Sequence, residues 1–140
     1  MTHTVRIIGG QWKRTPLPVL DAEGLRPTPD RVRETVFNWI THLIDGAWEQ
    51  VACLDLFAGS GALGFEAASR GARRVVMVEN SGPAVRQLEA NRDKLKRSVR
   101  ICWWPGHSTG KFAGSTWYAD AFARDVAVRV LAERAAATIG

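Results

Sequence analysis

Val51-Ala-Cys-Leu-Asp55-Leu-Phe-Ala-Gly59-Ser60-Gly61-Ala-Leu-Gly64 is the stretch that decides the fold. Its first seven residues are a short apolar run, the pattern of a parallel strand buried on both faces. The run enters a tight turn at Gly59-Ser60-Gly61, and Ala62 to Arg70 reads as a short helix capped by Gly71. Arg73 to Val78 is a second strand, ending at Glu79. Ser81 or Gly82 opens another helix, with Ala84, Val85, Leu88 and Leu95 on its buried face. Strand, helix, strand, helix with short loops specifies a parallel α/β sheet.

The glycines spell G-x-G-x-x-G between a strand and a helix, and Glu79 follows eighteen residues after Gly61. Absent side chains let the backbone turn sharply and approach a ligand. An acidic residue at the next strand end accepts hydrogen bonds from ribose hydroxyls. A nucleoside-bearing cofactor is therefore expected. A dinucleotide sets its pyrophosphate on the helix N-terminus, where Asp55, four residues before Gly59, would repel it. S-adenosylmethionine has no phosphate and carries an ammonium and a sulfonium, which a carboxylate attracts. The order Asp55, Gly59, Gly61, Glu79 thus favours S-adenosylmethionine over NAD. The structural alternative is that Gly59, Gly61 and Gly64 only allow close strand–helix packing and Asp55 caps the helix.

Upstream, Val5 to Leu20 is broken by Gly9-Gly10, Pro16 and Pro18. Arg6-Ile7-Ile8 and Leu17 to Leu20 read as two short strands of an arm, with Trp12, Lys13 and Arg14 at its tip. Thr28-Pro29-Asp30 is a helix start, with Thr28 as N-cap. Val32, Val36, Phe37, Ile40, Leu43 and Ile44 recur at helical spacing, predicting a helix over 29–44 that stops at Gly46. Phe37 and Trp39 are expected in the core. Arg26, Arg31 and Arg33 touch RNA or cofactor, or form a polar helix face, which is preferred for Arg31. Trp12 stacks on a base or covers the sheet edge.

The 140 residues are one domain's worth, with ordinary apolar and charged fractions of 46% and 24%. No run approaches the ~18 apolar residues of a membrane span, and the N-terminus lacks a signal-peptide run. Cys53 and Cys102 cannot build a disulfide framework. A cytoplasmic location follows. The net charge is +5, and fifteen of the nineteen basic residues are Arg. Residues 1–70 hold seven basic and eight acidic groups, residues 71–140 twelve and six. Guanidinium groups suit phosphate and base contacts, so RNA is a fitting partner. An Arg-rich solvated surface has the same composition. His42 and His107 have no neighbours of ligating type, so no metal site is expected.

Arg6-Ile-Ile-Gly-Gly, Arg26-Pro-Thr-x-Asp30-Arg-Val-Arg-Glu-Thr-Val-Phe-Asn38-Trp and Leu54 to Gly64 with the following x-Glu-Ala together resemble the bacterial 16S ribosomal RNA guanine-N2 methyltransferases, the RsmD family. The resemblance covers about residues 5–97. It implies a Rossmann-like class I methyltransferase sheet preceded by an N-terminal arm and helix. It implies methyl transfer from S-adenosylmethionine to the exocyclic amine of a guanine in 16S rRNA or the small-subunit particle, by a protein expected to be monomeric. Asp55, Ala58, Gly59, Ser60 and Gly61 would line the methionine and ribose part, Glu79 would hold the ribose hydroxyls and Asn80 would lie by the adenine. The segment Arg26–Glu34 would fold over the cleft. Arg6, Trp12, Lys13, Arg14 and Arg26 would face RNA.

The resemblance also implies Asp-Pro-Pro-Phe at the end of the fourth strand. Such a motif accepts the hydrogens of a weakly nucleophilic guanine amine and orients its nitrogen. No Pro-Pro pair occurs in the sequence, and after Pro83 the only proline is Pro105. No catalytic residue is therefore nominated. The expected organisation is arm and helix over 1–46, cofactor half over 47–98 and a divergent tail over 99–140, which supplies none of the missing strands. The chain reads as a family member truncated or frameshifted after about residue 97. The alternatives are an inactive S-adenosylmethionine- or RNA-binding fragment and an NAD-binding domain, against which Asp55 argues.

Overall fold

Three short strands lie parallel in the order β3-β4-β5: β3 is Ala52–Asp55, β4 is Arg74–Glu79 and β5 is Arg100–Trp103. The arm before them pairs β1, His3–Arg6, antiparallel with β2, Pro16–Val19. Helix α1 is Asp30–Leu43, α2 is Ala62–Ser69 and α3 is Gly82–Leu95. The computed structural model describes residues 3–19, 28–56, 58–95 and 99–103. The expected strand–helix–strand–helix order is present, as an incomplete Rossmann-like α/β fold.

Register puts Leu54 beside Val76 and Asp55 beside Met77, then Val78 beside Cys102. Alternation sends Cys53, Val75 and Met77 to one face. That face carries the main core, with Phe37 of α1, Phe65 of α2 and Leu88 of α3. Leu54, Val76 and Val78 form a separate cluster on the opposite face, with Leu56 and Cys102. Gly64 lets α2 lie directly on β4, since a Cβ there would stand 2.3 Å from Met77 Sδ. The Phe37 and Trp48 rings stack at 5.7 Å. Between α3 and the arm, Asn91 Nδ2 donates to the Pro18 carbonyl at 2.9 Å.

Several expectations are corrected. The arm's first strand is His3–Arg6 and not 6–8; the ladder still runs one step further, as the Ile7 amide donates to Thr15 O at 3.1 Å. The N-cap of α1 is Pro29, with no side-chain cap. Thr28 instead gives its carbonyl to Arg33 Nε at 3.0 Å. Trp39 is 49% exposed and outside the core, because it lies about 100° around the helix from Ile40, off the stripe Val36, Phe37 and Ile40. Arg33 does not lie on a solvated helix face; it is 1% exposed. The sheet also continues beyond residue 98: β5 pairs parallel with β4, so the tail does supply one strand.

Candidate cofactor site and basic arm

Asp55 and Glu79 end neighbouring parallel strands, which brings two carboxylates to one end of the sheet. Both are buried, at 1% and 8% exposure. The chain leaving β3 bends across the end of β4, where the Ala58 amide donates to Val78 O at 2.9 Å. Gly61 N donates to Ala58 O at 2.8 Å, closing the turn. Gly61 stands at φ +82° as the N-cap of α2, and a Cβ there would lie 2.6 Å from both Leu88 Cδ2 and Phe65 Cε2. Part of the structural alternative therefore holds. Gly61 and Gly64 are demanded by packing, whatever else the turn does.

Glu79 organises the mouth. Its Oε1 accepts from the Gly59 amide at 2.9 Å. Its Oε2 accepts from the amides of Asn80, at 2.9 Å, and Ser81, at 2.8 Å. A carboxylate has about four acceptor positions, two on each oxygen. Among the described residues three backbone amides take up three of them. Two carboxylates around a turn of small residues suit a group with hydroxyls and positive charge. They do not suit a pyrophosphate. The donor set thus fits S-adenosylmethionine, and the structure brings Asp55, Ala58, Gly59, Ser60, Gly61, Glu79 and Asn80 together at this end of the sheet.

The proposed RNA residues are placed as follows. Trp12, Lys13 and Arg14 occupy the turn between β1 and β2, with Arg14 at φ +70°. Lys13 and Arg14 are exposed; Trp12 is half-buried against the main core. Arg6 is exposed and pairs with Asp30 at 3.1 Å. Arg26 lies outside the described residues. Of the segment expected over the cleft, residues 28–34 are described, and Arg33 turns toward the arm and α2. Its Nη1 donates to Arg6 O at 2.7 Å and approaches Glu66 Oε1 at 3.5 Å, and it also pairs with Asp30. Burial pushes the Arg33 guanidinium below its ordinary range, opposed chiefly by Asp30 and Glu66. Among the described residues no group of three or more His, Cys, Asp or Glu could hold a metal, and no helix is long and apolar enough to cross a membrane.

Sequence reasoning missed Glu66, which is wholly buried. The signal was available: it is the one charged residue in Ala-Leu-Gly-Phe-Glu-Ala-Ala-Ser, a helix otherwise of apolar and small residues.

The family model described as Conserved hypothetical protein 95 matches residues 5–104. The chain belongs to this, the RsmD family. Ribosomal RNA small subunit methyltransferase D of Haemophilus influenzae is 53% identical over 94 residues, 67% of this chain and 47% of that protein. The Escherichia coli protein of the same name is 53% identical over 92 residues, 66% of this chain and 44% of its own length. The solved structure of Escherichia coli yhhF, described as a candidate methyltransferase, aligns with a TM-score of 0.66 at 41% identity, covering 76% of this chain and 56% of that one. The chain spans about half the length of the curated relatives it matches. The family match runs to residue 104 and so takes in β5, beyond the limit near residue 97 read from the sequence.

Proposed function

We propose that this chain carries the cofactor-binding half of an S-adenosylmethionine-dependent methyltransferase that modifies the N2 amine of a guanine in 16S rRNA. The observation that carries this reading is the pair Asp55 and Glu79, at adjacent strand ends around the Gly59–Gly61 turn, in a member of the RsmD family. The named relatives support ribosomal RNA as the substrate. A ribosomal substrate, naked or as the small-subunit particle, in turn implies the cytoplasm.

Bound there, S-adenosylmethionine supplies an activated methyl group. Glu79 would hold the ribose hydroxyls, while its Oε2 keeps the Asn80 and Ser81 amides in place. Asp55 faces the cationic methionine end, and Ala58, Gly59, Ser60 and Gly61 form the floor. Asn80 flanks the adenine. Orientation of the target amine requires acceptors beside it; the Asp-Pro-Pro-Phe that would supply them in the family is absent from this sequence. The second reading is a fragment that binds S-adenosylmethionine or RNA without transferring the methyl group.

Calorimetric titration with S-adenosylmethionine tests the cofactor reading. Saturable one-to-one binding is expected. Glu79→Ala should weaken it by about 1.5–3 kcal/mol, the usual value of a hydrogen bond to a charged group. A folded sample that binds nothing refutes it. Incorporation of labelled methyl into small-subunit particles then separates enzyme from fragment.

A further inference from the structure

Glu66 takes no part in the cofactor mouth, yet it is the most heavily engaged side chain of α2. Its Oε1 accepts from the Ile8 amide at 2.9 Å and faces Arg33 Nη1 at 3.5 Å. Its Oε2 accepts from the Gly9 amide at 2.9 Å and Arg70 Nε at 3.1 Å. These four donors fill the acceptor capacity of a carboxylate. Ser69, one turn on, extends the contact. Its Oγ accepts from the Trp12 amide at 3.0 Å and donates to Gly9 O at 2.6 Å, and its carbonyl accepts from the Gln11 amide at 2.7 Å. The approach is tight enough that a Cβ on Gly10 would meet the Ser69 carbonyl at 2.1 Å.

A buried ion network is weak evidence for stability, since apolar side chains of similar volume often do as well. What apolar side chains cannot do is fix a turn whose amides point out of any ladder. Residues 8–12 are such a turn, and they lead directly into Trp12, Lys13 and Arg14. Helix α2 begins at the Gly59–Gly61 turn and spans about 12 Å from there at ~1.5 Å per residue. Its far end holds the arm.

We infer that Glu66 is a positioning residue: it fixes the basic turn Lys13–Arg14 on the far end of the cofactor helix, so that RNA backbone held by the turn is placed in register with the Gly59–Gly61 site. The inference rests on the RNA-methyltransferase reading above. It predicts that loss of Glu66 acts on RNA binding through the arm and leaves the cofactor mouth alone.

The test uses the full chain, a single-stranded RNA oligonucleotide and small-subunit particles, with Glu66→Gln and the uncharged variant Ser69→Ala, which keeps the experiment informative should the first not fold. Amide exchange at Ile8, Gly9 and Trp12 reports the clamp. The salt dependence of RNA affinity reports the turn's phosphate contacts, each contributing a slope of about 0.7–0.9. In either variant those amides are expected to exchange faster, RNA affinity to fall about ten-fold, and the salt slope to shrink by about 1–2. S-adenosylmethionine affinity should stay within two-fold. Adding Lys13→Ala and Arg14→Ala to either variant should then change RNA affinity no further, a non-additivity that general destabilisation would not produce. Unchanged amide exchange overturns the clamp. Loosened amides with unchanged RNA affinity, or fully additive losses, overturn the positioning role. Wild-type chain that binds cofactor but neither RNA probe overturns the RNA reading and this inference with it, whereas failure of the variants alone overturns only the inference.

Discussion

Gly64 shows how one residue type serves the fold before it serves the site. A methyl group there would sit 2.3 Å from Sδ and 2.6 Å from Cγ of Met77, itself wholly buried on β4. Overpacking of this kind costs about 1–3 kcal/mol. Gly64→Ala should lower stability by that amount in urea unfolding, and should cost less when it is introduced into a Met77→Ala background, where the clash is gone. Cys102 gives a pH signature at the same scale. Burial against the Leu54, Val76 and Val78 cluster pushes its thiol above the ordinary range, with Arg100 opposing. The folded chain therefore favours the protonated thiol; this contribution to stability is present below the unfolded pKa and is lost as pH rises through the folded one. The thiolate is the species that reacts. Alkylation of Cys102 by iodoacetamide should set in at higher pH in the folded chain than in urea, as peptide mass spectrometry would show.

The elements divide by how they announce themselves. The β3–α2–β4–α3 unit is legible because a buried parallel strand must be continuously apolar and its turn must be glycine-rich; both conditions are visible in Val51 to Gly64. Glu79 is legible for a similar reason, as an acidic residue closing an apolar strand. The arm is less so, since Val5 and Ile7 are both buried and either offers a strand centre. Helix α1 shows the limit of periodicity. Arg33 lies three and four residues before Val36 and Phe37, on the buried stripe, but a charge there reads as solvent-facing until Glu66 is known to stand opposite. Glu66 stands out in the sequence as the one charge of α2, but its partners do not: the Ile8 and Gly9 amides are more than fifty residues away in sequence. The stripe makes a paired prediction for α1. Phe37→Ala removes a fully buried ring stacked on Trp48 and should cost about 3–5 kcal/mol. Trp39→Ala, on the half-exposed side, should stay within about 0.5 kcal/mol. Thermal melts of the two variants check both; similar losses would put Trp39 back in the core.

At the scale of the whole molecule, the larger described sheet has three parallel strands, and all three described α-helices join the core on its Cys53, Val75 and Met77 face. The ends of β3 and β4 build the mouth proposed above to take the cofactor, and the sequence holds no Asp-Pro-Pro-Phe. Cofactor binding and methyl transfer should therefore separate cleanly in this chain. On the proposed reading, S-adenosylmethionine binding would draw on residues 55–80, inside the family match; transfer needs acceptors that position the amine, and positioning alone is worth about 7–11 kcal/mol of barrier in favourable cases. The chain as it stands should bind S-adenosylmethionine yet leave small-subunit particles unlabelled. Joining residues 1–104 to the remaining half of the Haemophilus influenzae relative, which is 53% identical across the shared region, should create transfer where there was none. Labelled-methyl incorporation into particles lacking the modification reads the result, with Glu79→Ala in the chimera as the control. Transfer by the chimera that Glu79→Ala abolishes would show that residues 1–104 carry a working cofactor site. Transfer by the unaltered chain would instead mean that a residue outside the Asp-Pro-Pro-Phe pattern holds the amine.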